Sequence, residues 1–167
     1  MSDNVYLGNP NLKKANTAIE FTQDQILEFM KCKEDPVYFA NNYIKIVSLD
    51  EGLTQFHPYH FQEKLINNFH ENRFNICKMP RQTGKSTTVV SYLLHYAVFN
   101  DSVNIGILAN KAATARELLG RLQTAYENLP KWMQQGIVAW NKGSLELENG
   151  SKILAASTSA SAVRGMS

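Results

Sequence analysis

The chain has 167 residues, 44% of them hydrophobic and 19% charged, and its seventeen basic and fifteen acidic side chains leave a formal net charge of +2. That excludes the low-apolar, high-charge composition of a disordered chain, and it permits one domain with its own core. So small a net charge identifies no nucleic-acid partner by itself.

Cys32 and Cys77 stand without a CxxC or Cys/His ligand spacing, as expected of reduced, cytoplasmic protein. The polar start and short apolar runs read as neither signal peptide nor membrane span, so no membrane partner is expected. Residues 1–21, rich in Asn with Gly8 and Pro10, read as an extended arm. From Thr22 the spacing of Ile26, Leu27, Met30, Val37, Phe39 and Tyr43 predicts one or two short helices, with Thr22 or Asp24 as cap and Pro36 as break. A loop over residues 48–57 follows, then a helix over 59–72 with Leu65, Ile66 and Phe69 on one side.

Residues 75–79 read as a short buried strand, MPRQTGKS as a loop, and 86–99 as a helix whose Val89, Val90, Leu93, Leu94 and Val98 face inward. A strand over 103–109 and a helix over 111–128 continue a β-α-β-α succession, which predicts an α/β fold with a parallel sheet. Around Asn149-Gly150, segments 144–148 and 152–156 predict a tight hairpin.

Gly84-Lys85-Ser86 lies where a strand, a loop and a helix meet, the setting of a phosphate-binding loop. Gly84 lets the backbone approach phosphate oxygens, and the N–H groups of the loop and helix start favour an anion. In such a loop Lys85 reaches the β and γ phosphates, Ser86 offers its hydroxyl to Mg²⁺, and Thr87 contacts the α phosphate. The position that GxxxxGK[ST] gives to its first glycine holds Met79, which weakens the generic match. Arg81 has two readings, a solvated loop arginine or a guanidinium stabilising charge on the transferring phosphoryl group. Gln62 also has two: an amide reading adenine's edge beside Phe61 or Tyr59, or a surface glutamine next to a core aromatic. The residues alone favour the second.

His57 and His60 lack a third ligand nearby in sequence and read as surface histidines. Asp50-Glu51 mimics the acidic end of a catalytic strand, but Lys45 interrupts the run and it precedes the phosphate loop, so it reads as a turn. No later apolar run leads into Asp-Glu. Trp132 and Trp140 read as packing residues, and Arg164-Gly165 carries little information by itself.

The stretches GNPNLKKAN, MPRQTGKSTTVV, GILANKAA, LPKWMQQGIVAWNKGSLELENGS and SASAVRG together resemble the ATPase part of the large terminase subunit of T-even-like tailed phages. The resemblance implies a P-loop NTPase-type parallel sheet flanked by helices, incomplete, with a small N-terminal helical segment and a hairpin. Residues 22–167 then correspond to the N-terminal part of the ATPase domain, ending before the Asp-Glu strand and without the nuclease domain. The family's loop also lacks the first glycine and carries an arginine. The resemblance therefore implies that Arg81 acts in cis on the γ phosphate, and that Gln82, Thr83, Gly84, Lys85, Ser86 and Thr87 hold ATP and Mg²⁺. It implies adenine recognition by Gln62 beside Phe61.

The same resemblance implies an ATP-driven motor packing double-stranded DNA into a prohead. It would work in the host cytoplasm, transiently at the portal protein, with a small terminase subunit. Because the family continues into a metal-binding acid and catalytic glutamate, this chain is expected to bind nucleotide weakly and hydrolyse almost none alone. Truncation, a split gene with a second polypeptide completing the site, and protein splicing are three expectations for the ending at Ser167. A scaffold module that only binds nucleotide and a helicase-like nucleic-acid ATPase are the alternative functions.

Overall fold

The computed structural model describes residues 4–48 and 50–158. Its elements begin with a hairpin of β1 (Val5–Tyr6) and β2 (Asn9–Lys13), turned at Leu7 and Gly8, both with positive φ. This part of the arm docks on the body, since Leu12 and Lys13 are buried and Lys14 bridges to Ile137.

Helix α1 (Gln23–Glu34) starts in a capping box: Thr22 Oγ1 accepts from the Gln25 N–H at 3.2 Å, and Gln25 Oε1 accepts from the Thr22 N–H at 3.1 Å. Asp35 then accepts from the N–H groups of Val37 and Tyr38, and Pro36 opens α2 (Pro36–Tyr43), where its missing N–H costs nothing. The break expected at Pro36 is therefore a change of helix axis with its own cap.

Strands β3 (Lys45–Ser48) and β4 (Gly52–Gln55) pair antiparallel, with Asp50 and Glu51 in the turn between them. The Asp-Glu pair is thus in a turn as read, while part of the expected loop is strand. Helix α3 (His60–Glu71) follows, and α4 (Lys85–Phe99) forms after the loop. Then come β5 (Asn104–Ala109), α5 (Ala112–Glu127), β6 (Ile137–Trp140), β7 (Ser144–Leu147) and β8 (Lys152–Ser157).

The largest sheet has the order β5-β8-β7-β6. Only β5 and β8 are parallel; β8–β7 and β7–β6 are antiparallel. This corrects the expectation of a parallel P-loop sheet: the fold is mixed α/β with small sheets, the largest mostly antiparallel. The cause is local in part, because Gly150 at φ 81 turns β7 directly back into β8, and such a tight reversal can make only an antiparallel pair.

A second correction concerns residues 75–79, which form no strand and join no sheet among the described residues. Phe74 and Ile76 are 83% and 100% exposed. A buried parallel strand needs neighbours on both edges and helices on both faces. Here the apolar segment meets neither, and the α4 face bearing Val89 and Leu93 opens onto a groove instead of packing under it.

The core lies between α4, α5 and the four-stranded sheet, where Leu94, Ala97, Leu119, Leu122, Tyr126, Leu145 and Ile153 are buried. Trp132 and Trp140 pack against it, with ring centroids 6.0 Å from Tyr43 and 5.7 Å from Tyr126 respectively. Among the described residues no helix is long and apolar enough to cross a membrane.

Candidate functional site

The loop over residues 80–84 ends in Gly84, which caps α4 in the left-handed region at φ 71. Glycine adopts this conformation without the steric cost other residues meet. No side chain caps the helix start, and its first ladder bond runs from the Thr88 N–H to the Gly84 carbonyl at 3.0 Å. The N–H groups of Lys85, Ser86 and Thr87 therefore precede that ladder, and with the helix dipole they form a place for an anion.

Within the loop, Lys85 Nζ donates to the Met79 carbonyl at 3.2 Å and also to the Pro80 carbonyl, while Thr83 Oγ1 donates to the Pro80 carbonyl at 3.1 Å. These bonds curl the loop around the lysine, so its positive charge sits at the helix start. Gln82 also has positive φ, at 61, so two left-handed residues flank Thr83. Arg81 and Ser86 are exposed and Thr87 half-buried. Among the described residues neither Arg81 nor Lys85 takes part in an ion pair.

The structure inverts the bland reading of Phe61 and Gln62. Gln62 is 3% exposed and Phe61 44%. Gln62 Oε1 accepts from the Tyr59 N–H at 2.8 Å and its Nε2 donates to the Thr83 carbonyl at 3.2 Å, tying the start of α3 to the loop before α4. A signal for this was available, because Gln62 is the third helical residue, where a glutamine reaches back to the N-cap. Phe61 stacks on exposed Tyr59 with centroids 5.9 Å apart and planes 11° apart, a flat apolar surface beside the buried amide.

A groove of about 450 Å³ opens on Thr87 and Val90, walled by Lys45, Ile46 and Arg121. A second, of about 150 Å³, reaches Lys85 and Ser86 between Val89, Leu93 and Leu118. Neither groove was foreseen, since the first depends on how β3 and α5 stand beside α4 and the second on how β5 and α5 do. The structure thus brings together Gln62, Thr83, Gly84 and Lys85. His60 lies 3.5 Å from Glu63, and among the described residues no group of three His, Cys, Asp or Glu is arranged to hold a metal. Arg164-Gly165 lies outside the described residues.

The family model for the N-terminal part of the T4likevirus-type terminase large subunit matches residues 76–167, which are 92 of the 167 residues. The match takes in the lysine loop, α4, α5 and the hairpin that closes the sheet, and a role in viral DNA packaging accompanies it. On that match the chain belongs to the T4likevirus-type terminase large subunits.

Proposed function

We propose that the loop over residues 79–87 binds the triphosphate of ATP with Mg²⁺, as the nucleotide-gripping part of a motor that couples ATP hydrolysis to translocation of double-stranded DNA into a prohead. The observation that carries the reading is the uncapped start of α4 behind left-handed Gly84, with Lys85 held at its mouth. Lys85 neutralises the β and γ phosphates, Arg81 reaches the γ phosphate from the exposed turn, and the backbone of Gln82, Thr83 and Gly84 follows the phosphate chain. Thr87 contacts the α phosphate, and Phe61 with Tyr59 offers the base an apolar wall.

The residues present fit Mg²⁺. That ion keeps several waters and takes its other ligands from substrate phosphates and one or two protein oxygens, and the exposed Ser86 hydroxyl in the first turn of α4 is such an oxygen. When bound, the ion neutralises phosphate charge. A portal protein and a small terminase subunit are the partners this reading requires. Its setting is the host cytoplasm, transiently at the prohead portal.

Calorimetric titration with Mg-ATP tests it. Lys85→Ala is expected to weaken binding at least about tenfold, the order for losing one charge-assisted contact. Ser86→Ala should remove the dependence on Mg²⁺ and leave magnesium-free binding. Wild-type affinity retained in Lys85→Ala would refute the assignment of the loop.

A further inference from the structure

We propose that Asn149-Gly150 is a deamidation site gated by the fold: the closed hairpin protects it, and an opened one converts the amide to an acid that the closed state rejects. The proposal is independent of the nucleotide reading. This is the one Asn-Gly step in the sequence. Asparagine before glycine is especially reactive, because no side chain shields the next backbone nitrogen or restricts its approach. In the reaction the Gly150 nitrogen gives up its proton and bonds to Asn149 Cγ, the Cγ–Nδ2 bond breaks, and Nδ2 leaves as ammonia. Water then opens the succinimide ring at either carbonyl, leaving aspartate or isoaspartate.

The closed hairpin engages the atoms that this reaction consumes. The Gly150 N–H donates to the Leu147 carbonyl at 3.0 Å. Asn149 Nδ2 donates to the Ala97 and Asn100 carbonyls at 2.9 and 3.0 Å, and its Oδ1 accepts from the Ser151 N–H at 3.1 Å. Closing the ring removes the Gly150 proton and expels Nδ2, so the bonds to Leu147, Ala97 and Asn100 must all break, a loss that an open chain does not meet. The same bonds exclude the product. Ala97 lies in the last turn of α4 and Asn100 is its C-cap, so both carbonyls stand at the negative end of the helix, where backbone donors run out. The amide gives them a donor, whereas a carboxylate presents only acceptors and a negative charge. Isoaspartate in addition lengthens the backbone by one atom within a turn that Gly150 closes at φ 81. Opening of the hairpin, once followed by deamidation, is therefore not reversed.

The test incubates the 167-residue chain and, as the open reference, a peptide of residues 144–154 in the same mildly alkaline buffer. Conversion at Asn149 is followed by peptide mass and by an isoaspartate assay. The folded chain is expected to convert at least about tenfold more slowly than the peptide, since reaction there waits on local opening. Asn149→Asp, one of the two products made directly, should unfold at a lower guanidinium concentration than wild type. The rate comparison uses unaltered protein, so it decides the question even where Asn149→Asp does not fold. Equal rates in chain and peptide would overturn the gate, and a wild-type unfolding midpoint in Asn149→Asp would overturn the exclusion of the product.

Discussion

The two ends of the molecule are held in opposite ways. Where the N-terminal hairpin meets the end of α5, buried polar groups tie distant segments together. Gln134 Oε1 accepts from the Lys13 N–H at 2.9 Å, and its Nε2 donates to the carbonyls of Asn11 and Leu129 at 2.9 and 3.0 Å. Glu148 accepts from the Gly136 and Asn16 N–H groups at 2.7 and 2.8 Å and pairs with Lys13 at 3.2 Å. Burial pushes the Glu148 carboxyl up, but the Gly136 and Asn16 N–H bonds and Lys13 outweigh it and hold it below its ordinary value. Around residues 74–84, in contrast, apolar side chains stand in solvent and the loop is shaped by few bonds. A seam made only for stability satisfies its own polar groups, whereas a site made for a ligand keeps donors available at a helix start.

That contrast can be broken by substitution. The largest effect is expected at Gln134→Ala, which leaves the buried Lys13 N–H and several carbonyls without partners and should lower unfolding free energy by about 3 kcal/mol in urea denaturation. Retention of wild-type stability would show that the hairpin is not fastened there.

His95 sharpens the comparison from inside the helical layer. Its Nε2 donates to the Cys32 carbonyl at 2.8 Å near the end of α1, and burial lowers its pKa from 6.5 to about 4. The unfolded chain therefore binds the proton more readily between those values. Stability is fully present above pH 6.5 and is lost as pH falls toward about 4, by on the order of 3 kcal/mol. His95→Gln keeps a donor and does not titrate, so denaturation curves at pH 7 and 4.5 should show a smaller acid loss in the variant. Equal losses would place the acid sensitivity elsewhere, Glu148 included, since its stabilisation also fades as its carboxylate protonates at low pH.

A smaller change of about 1 kcal/mol is expected from Thr22→Ala, which removes one half of the capping box on α1. The smallest belongs to the loop before α4. Lys85→Ala should change thermal stability by less than about 0.5 kcal/mol, the usual range for substitutions away from buried features, while weakening nucleotide binding at least about tenfold. A large stability loss in Lys85→Ala would mean that the loop is as much a part of the fold's support as the Gln134 seam.

The same division explains what could be read from the sequence. Local features were legible: the Thr22 cap, the restart at Pro36, the turn at Asp50-Glu51 and the Asn149-Gly150 hairpin each depend on neighbours a few residues away. Long-range pairing was not. Residues 75–79 have the composition of a buried strand, but a strand exists only against a partner, and β5 pairs with β8 instead. The short β6 and the β3–β4 hairpin escaped notice because four-residue strands give too few alternations to show a period. In the candidate site, the glycine and lysine announced themselves by spacing. The burial of Gln62 did not, because its position depends on α3 standing against the loop.

The most direct test of the central claim is a ¹H–¹⁵N titration of the chain with Mg-ATP. If the start of α4 receives the triphosphate, the amide resonances of Gly84, Lys85, Ser86 and Thr87 shift first and together, and Lys85→Ala suppresses those shifts. Saturable shifts confined to another part of the surface, with these four unmoved, would contradict the account.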